Sequence, residues 1–284
     1  MTDLLDTHQH LIYRDKLGYE WTEGIPDLAE GDFTTADYQA AAASSPVIGT
    51  LFMETAVDEA DYKREARMMT ELARDPKNGI RGVIASCRPE VDEGFDAWLD
   101  ECGQMRVKAF RRVLHVVEDE RSRSATFRKN LRKIGARGLA FDMCFLARQL
   151  PIAAELARAC DEQWLVLNHC GVPDIAGNDF DTWKGDIDTL AGLPHVACKL
   201  SGILAYCAPG TATLKTIRPY VDHVLEAFGP DRIVWGSDWP VINLATGLEN
   251  WLEVTAEILS ALPADDADAI GHRTAARIYQ VELG

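Results

Sequence analysis

Short apolar runs alternate with longer amphipathic stretches along the whole chain. The apolar runs are rich in Val, Ile, Leu and Phe and show no regular polar alternation, which is typical of parallel strands buried on both faces. We therefore predict eight buried parallel strands. Their predicted bounds are Leu4–His10, Val47–Glu54, Ile80–Ser86, Arg106–Val113, Gly138–Met143, Trp164–His169, Val196–Ser201 and Arg232–Asp238.

The stretches between these strands have the spacing of amphipathic helices. The first, Asp58–Arg74, carries Ala, Met and Leu at helical intervals and begins with acidic residues, which suit a helix N-terminus. The tail Ala267–Tyr279 predicts a closing helix. The other predicted helices are Glu93–Gly103, Ser124–Ile134, Leu150–Asp161, Phe180–Leu193, Leu214–Phe228 and Leu248–Leu262.

This alternation predicts the α/β class and a single (β/α)8 TIM-type barrel over residues 1–284. Eight strand–helix units in about 250 residues are typical of that barrel, whose active site lies at the C-terminal ends of its strands. An open doubly wound sheet is the alternative, and it is disfavoured because no G-x-G-x-x-G motif follows any strand. No linker or internal repeat divides the chain, so we expect one domain.

The net charge and the distribution of cysteines restrict the classes of function that this protein is expected to have. The 284 residues include 29 Lys and Arg against 45 Asp and Glu, a net charge of −16. That balance argues against binding to nucleic acid or to an anionic membrane, since both require a positive surface. The N-terminus is polar, no long apolar run occurs, and the seven cysteines are scattered without a C-x-x-C pair. We therefore expect a cytoplasmic protein with reduced thiols.

Histidines and a carboxylate stand at the predicted ends of three strands. His8 and His10 are two residues apart on the first strand, so both face the barrel interior, where two converging imidazoles suit a divalent metal ion or an oxyanion. Asp238 ends the last strand, which neighbours the first in a closed barrel, and its carboxylate is the candidate general base toward water. His169 ends the sixth strand beside Gly171, a residue that lets backbone approach a pocket closely.

Charged and aromatic residues at other strand ends and in one loop are candidates for substrate contacts. One of the adjacent Arg111 and Arg112 must face inward, where a cation requires an anionic or carbonyl partner. Lys199 is expected either to contact substrate or to pair with a carboxylate such as Glu54. The candidate substrate-binding residues are Arg111, Arg112, Glu54, Lys199, Trp21 and Asp142.

Three motifs carry a family resemblance: His8-Gln9-His10, His169-Cys170-Gly171 and Gly236-Ser237-Asp238-Trp239-Pro240. Together they resemble the amidohydrolase superfamily, and more narrowly its lactonase-type branch of sugar-acid lactonases and pyrone-dicarboxylate lactonase. Supporting strings run from the first residues to the last predicted strand, so the resemblance covers nearly the whole chain. It implies a (β/α)8 barrel and a hydrolytic reaction.

The resemblance also implies roles for individual residues. Water would attack a lactone carbonyl with the help of a carboxylate base. The histidines would hold one divalent metal ion, for which zinc is the first choice, or they would polarise the carbonyl without a metal. The implied metal ligands are His8, His10, His169 and Asp238, and the implied catalytic residues are Asp238, His169 and Arg111. A second metal is not implied, because the fifth strand offers Asp142 where two-metal relatives have a histidine.

The function expected from these residues is a hydrolase that opens a sugar-acid or related carboxylate-bearing lactone. Isomerisation or decarboxylation on the same site is the alternative reaction, and a barrel that binds a sugar acid without turnover is the alternative class. A small-molecule lactone is the expected partner in each enzymatic case. Substrate choice is expected to lie in the loops 19–30, 114–123 and 203–213.

Overall fold

The computed structural model describes residues 2–283 and contains one eight-stranded parallel sheet in the order β1 to β8. All eight predicted strands are confirmed, and their ends differ from the prediction by a few residues. The strands are β1 (Leu4–Gln9), β2 (Val47–Met53), β3 (Ile80–Ser86), β4 (Ala109–Val113), β5 (Ala140–Cys144), β6 (Leu165–Leu167), β7 (Val196–Leu200) and β8 (Ile233–Trp235).

Helices follow the strands and surround the sheet, as in a (β/α)8 barrel. They are α1 (Pro26–Ala29), α2 (Thr35–Ala41), α3 (Tyr62–Leu72), α4 (Phe95–Met105), α5 (Ala125–Gly135), α6 (Leu150–Ala159), α7 (Phe180–Ala191), α8 (Leu214–Phe228), α9 (Gly247–Ser260), α10 (Ala264–Asp268) and α11 (Thr274–Tyr279). None of the described helices has both the length and the apolar character needed to cross a membrane.

The sequence prediction missed the helices between β1 and β2. Helix α2 begins at a capping box in which the Thr34 side chain accepts from the Asp37 amide and the Asp37 side chain accepts from the Thr34 amide. Its seven residues, TADYQAA, are too few and too rich in alanine to show an apolar period, which is why the pattern gave no signal.

The barrel closes where β8 meets β1. Beyond the end of β8, the Asp238 amide donates to the His8 carbonyl at 2.9 Å and the His10 amide donates to the Trp239 carbonyl at 2.8 Å. One buried apolar cluster takes residues from every strand and from α11, including Leu5, Ala109 and Tyr279. This cluster fills the barrel interior, and α11 packs against it at the end opposite the predicted site.

Candidate active site

A bulge in β1 sets the direction of the two strand-end histidines. Asp6 pairs with Thr50 and Gln9 pairs with Phe52, so three steps along β1 match two steps along β2. The extra residue resets the alternation of side chains, and His8 and His10 come to face the same space. The two imidazole rings lie edge to face with centroids 4.8 Å apart.

Asp238 completes a group of three potential metal ligands with these histidines. Nε2 of His8 and Nε2 of His10 each lie 3.6 Å from Oδ1 of Asp238. Nδ1 of His10 lies 3.0 Å from the Met53 carbonyl oxygen, which can only accept, so Nδ1 carries the proton and Nε2 is a bare lone pair. The ligand atoms of the three residues lie within 4.8 Å of one another and all three residues are buried.

Arg111 supplies the positive charge beside this group. Its Nε donates to Oε1 of Glu54 at 2.6 Å, and its Nη1 lies 3.3 Å from Nε2 of His8. A guanidinium only donates hydrogen bonds, so Nε2 of His8 is also a bare lone pair and Nδ1 of His8 carries the proton. That Nδ1 is fully buried and has no hydrogen-bond partner among residues 2–283.

His169 lies on a tight left-handed turn that follows β6. His169 and Cys170 both have φ of +53°, a region that residues other than glycine rarely adopt, and such strain is often found at functional sites. Trp183 fixes the turn by donating from its indole nitrogen to the Cys170 carbonyl at 2.8 Å. Nδ1 of His169 lies 3.9 Å from Oδ2 of Asp238 and 3.0 Å from Oγ of Ser201.

Burial decides the charge states in this site. Burial lowers the pKa of His8 well below its usual value, and the neighbouring His169 and cations lower it further. Burial also lowers the pKa of His169 to about 4, although Asp238 opposes the shift. For Glu54, burial raises the pKa but the charge of Arg111 outweighs it, so the net pKa is lowered. The two histidines are therefore neutral and the Arg111–Glu54 pair is ionised at neutral pH.

Two of the expected substrate-binding residues are paired with each other in the barrel interior. Nζ of Lys199 lies 2.6 Å from Oδ1 of Asp142, and both side chains are completely buried. The Tyr279 hydroxyl donates to the same carboxylate at 2.9 Å. The expected pairing of Lys199 with Glu54 is therefore wrong, because Arg111 pairs with Glu54 and Asp142 pairs with Lys199. Neither side chain presents exposed surface to the strand ends in this structure, and a substrate-binding role for Lys199 or Asp142 stays a prediction.

The remaining candidates lie around the site with other partners. Arg112 points to the opposite side of β4 from Arg111, and its Nη2 donates to Oε1 of Glu90 at 2.8 Å. The structure therefore does not bring Arg112 together with the histidines. Trp21 is 37% exposed and donates from its indole nitrogen to the Thr55 carbonyl at 2.9 Å. It lies on the loop after β1, beside the residue that follows Glu54.

The structure adds two residues that the sequence analysis did not select as site residues. Cys144 and Ser201 come two positions after Asp142 and Lys199 and share their side of the chain; Cys144 is the last residue of β5 and Ser201 follows β7 directly. Sγ of Cys144 lies 3.2 Å from Nδ1 of His115, and burial raises the thiol pKa to about 12. Counting by twos from Ala140 and Ala197, which face the interior, would have found both residues.

The reactive groups of this protein meet at the C-terminal ends of barrel strands, the place where TIM-barrel enzymes have their active sites. The sequence matches the amidohydrolase family over residues 5–281, and the chain belongs to that family. It is 30% identical over 296 residues to an L-fucono-1,5-lactonase of Burkholderia multivorans, with 97% of this chain and 95% of that protein covered.

Solved structures agree with this membership. An amidohydrolase from Burkholderia multivorans, crystallised with bound zinc, superposes with a TM-score of 0.88 at 27% identity over 99% of this chain and 100% of that one. A probable 2-pyrone-4,6-dicarboxylic acid hydrolase from Acinetobacter baumannii superposes with a TM-score of 0.78 at 14% identity over 98% of this chain and 100% of that one. This second likeness concerns the fold alone.

Proposed function

We propose that this protein hydrolyses the lactone of a sugar acid, or a related carboxylate-bearing lactone, to the free acid. One observation carries the proposal: the bare Nε2 atoms of His8 and His10 both face Oδ1 of Asp238 at 3.6 Å. Arg111 already donates to Nε2 of His8, whereas Nε2 of His10 and Oδ1 of Asp238 present lone pairs to each other, an arrangement that suits a water molecule or a cation between them. The similarity to an L-fucono-1,5-lactonase supports the choice of a lactone as substrate.

In the proposed mechanism Asp238 is the general base. Its Oδ1 accepts a proton from the water molecule that attacks the lactone carbonyl carbon. The protonated Asp238 then returns this proton to the ring oxygen, which leaves as the hydroxyl of the open acid as the carbon–oxygen bond breaks. The residue has φ of +61° and its amide is bonded to the His8 carbonyl, so the carboxylate is held against β1. A lactone is already an activated ester, and a positioned base with an electrophile is therefore sufficient.

Arg111 and His169 are the proposed electrophiles of the protein itself. Arg111 is 4% exposed, and its pairing with Glu54 fixes the direction in which Nη1 points toward the space beside His8. A fixed donor in a site of low dielectric stabilises the negative charge that develops on the carbonyl oxygen. His169 is neutral and can donate one hydrogen bond to the same oxygen.

The residues present also fit a single divalent metal ion. His8, His10 and Asp238 would hold it, since their ligand atoms lie within 4.8 Å of one another and the Nδ1 bond of His10 to Met53 fixes the required tautomer. Nε2 of His8 would then bind the metal in place of its contact with Nη1 of Arg111. Zinc accepts such nitrogen and oxygen donors, and when bound it would polarise a carbonyl and lower the pKa of a water molecule. The expected fourth ligand, His169, lies outside this group of three.

The proposal is tested with a panel of aldonic and dicarboxylic-acid lactones, in a weakly buffered indicator assay read in parallel by NMR. We expect one or more lactones to open with release of a proton. Asp238→Asn should lower kcat by roughly 10²- to 10⁴-fold, the range for loss of a general base. The matched control is Asp231→Asn, which changes an exposed aspartate before β8 and should leave kcat unchanged.

Other products would contradict the proposal. A rearranged lactone without proton release would mean isomerisation, and release of carbon dioxide would mean decarboxylation. Hydrolysis that survives Asp238→Asn would remove Asp238 from the role of base. The same assay after dialysis against a chelator, and again after addition of zinc, tests whether the reaction needs the metal.

A further inference from the structure

Ser201 is a buried polar group for which the proposed reaction has no direct use. It follows β7 immediately, its side chain is completely buried, and its Oγ lies 3.0 Å from Nδ1 of His169. Among residues 2–283 this is the single hydrogen-bond partner of the Ser201 hydroxyl. The Ser201 hydroxyl and Nδ1 of His169 are therefore paired with each other, and the Ser201 side chain has no exposed surface.

The direction of this hydrogen bond decides what His169 can do. If Nδ1 carried the proton and donated to Ser201, the hydroxyl hydrogen of Ser201 would have no acceptor in a buried site, an arrangement that proteins avoid. If Ser201 donates instead, its hydrogen is satisfied and Nδ1 is the acceptor. A neutral imidazole with a bare Nδ1 has its proton on Nε2.

The other ring nitrogen is free for a ligand. Nε2 of His169 makes no hydrogen bond to residues 2–283 and is not among the buried polar atoms that lack a partner. Gly202 holds the arrangement in place, because a Cβ at that position would lie 2.4 Å from Oδ2 of Asp238 and 2.8 Å from Nδ1 of His169. The backbone after Ser201 thus packs directly onto both functional side chains.

We propose that Ser201 is a positioning residue: its hydroxyl donates to Nδ1 of His169 and keeps this histidine as the Nε2–H tautomer, a hydrogen-bond donor toward the substrate carbonyl oxygen. The use of that donor rests on the proposed lactone hydrolysis, whereas the tautomer itself is a property of the protein without substrate. A histidine held in the wrong tautomer loses its catalytic role even when its position is unchanged.

The first test is the protonation of the His169 ring in the purified protein. Long-range proton–nitrogen correlation NMR on ¹⁵N-labelled protein distinguishes a protonated from a bare ring nitrogen, and His169→Gln identifies the His169 signals among the seven histidines. We expect a protonated Nε2 and a bare Nδ1 in the wild type, and a shift toward Nδ1–H in Ser201→Ala. A wild-type ring with the proton on Nδ1, a metal-bound Nε2, or an unchanged tautomer in Ser201→Ala would overturn the proposal.

The second test is kinetic and uses a lactone that the wild type opens. Ser201→Ala should lower kcat by roughly 10-fold or more and change KM little, because the lost donor acts in the transition state. The matched control is Thr274→Val, which removes another buried hydroxyl whose one bond goes to the Pro230 carbonyl at 3.0 Å, far from His169 in the closing helix. An altered tautomer with unchanged kcat would overturn the catalytic use of the tautomer.

The two proposals fail in different ways. If no lactone is opened by the wild type, the proposed function fails, while the NMR measurement still decides whether Ser201 sets the tautomer. If lactones are opened and the wild-type ring carries its proton on Nδ1, the proposed function stands and the role of Ser201 is rejected.

Discussion

Nη1 of Arg111 lies 3.3 Å from Nε2 of His8, the lone pair that would otherwise face a metal ion. A guanidinium is charged at every accessible pH, so it repels a divalent cation at that position and occupies the lone pair. The same relationship lets the protein place a positive charge at the reaction centre with its own side chain. Arg111 and a metal ion therefore compete for His8.

This competition predicts the effect of Arg111 on zinc affinity. Arg111→Gln should bind zinc roughly 10-fold or more tightly than the wild type, since removal of one nearby positive charge is worth at least about 1.4 kcal/mol. Arg111→Lys keeps the charge and should change the affinity less. Competition with a fluorescent zinc chelator measures both constants. Equal affinity of all three proteins would show that the guanidinium does not oppose the metal.

The buried Lys199–Asp142 pair predicts a large and coupled effect on stability. Each of Lys199→Met and Asp142→Leu leaves one charged partner without its counter-ion, and we expect a loss of about 3–5 kcal/mol in the free energy of unfolding. The double variant should lose less than the sum of the two, because neither charge remains. Urea unfolding followed by tryptophan fluorescence measures the cycle.

An exposed ion pair provides the control for that cycle. Arg74 and Glu71 lie 2.7 Å apart with about 70% of each side chain exposed, and breaking this pair should cost less than about 1 kcal/mol. Additive losses for Lys199 and Asp142 would mean that the two residues stabilise the barrel independently of each other.

The raised pKa of Glu65 predicts that the free energy of unfolding depends on pH. Oε1 of Glu65 accepts a hydrogen bond from the Thr55 amide at 2.9 Å, and its Oε2 is buried without a partner in the described chain. Burial, together with the nearby negative charge of Glu54, raises the pKa of Glu65 from 4.5 to about 8. Folded Glu65 keeps its proton while the unfolded carboxyl loses it, so its stabilising contribution is complete below about pH 4.5 and is lost as the pH rises toward 8.

The measurement compares urea unfolding of the wild type and Glu65→Gln between pH 5 and pH 8.5. The amide cannot ionise, so the wild type should lose stability relative to the variant as the pH rises, by up to about 1.4 kcal/mol for each unit of pKa shift. Glu71→Gln, on the exposed face of the same helix, should follow the wild type. Parallel curves for the wild type and Glu65→Gln would contradict a raised pKa.

Substitution of Gly202 tests whether activity depends on the close packing of this residue against Asp238 or on its left-handed backbone. Gly202 has φ of +60°, and the Cβ of an alanine there would lie 2.4 Å from Oδ2 of Asp238. Gly202→Ala should therefore displace the base and lower kcat by roughly 10-fold or more, since small misplacements of reacting groups are costly. Gly210, with φ of +76° and no atom of residues 2–283 within 4 Å of an added Cβ, is the matched position.

In Gly210→Ala the alanine has the strained left-handed backbone conformation but makes no close contact such as the one with Asp238. This variant should lose about 1–2 kcal/mol of stability and keep its kcat. Thermal unfolding and lactone turnover, measured on both variants, separate the two effects. Equal losses of kcat in the two variants would mean that strain, not contact with Asp238, explains the result.

The local pattern of apolar and polar residues was enough to predict the fold and the chemical type of the site. The eight strands could be located because a strand buried on both faces is a continuous apolar run, and this property depends on a few adjacent residues. The placement of His8, His10 and Asp238 at one end of the barrel followed from strand order, since β1 and β8 must be neighbours in a closed sheet. The amidohydrolase motifs added the reaction class.

The partners of the charged residues were decided by the tertiary structure alone. Lys199 pairs with Asp142 and not with Glu54, because the height of each inward side chain depends on the stagger between strands and on the bulge in β1. The selection of Ser201 as the partner of His169 has the same origin. Arg112 faces the other side of β4 from Arg111, and there it meets Glu90. The sequence determined which strands exist and which chemistry they carry, whereas the stagger of the closed barrel, a property of all eight strands together, decided which side chains meet.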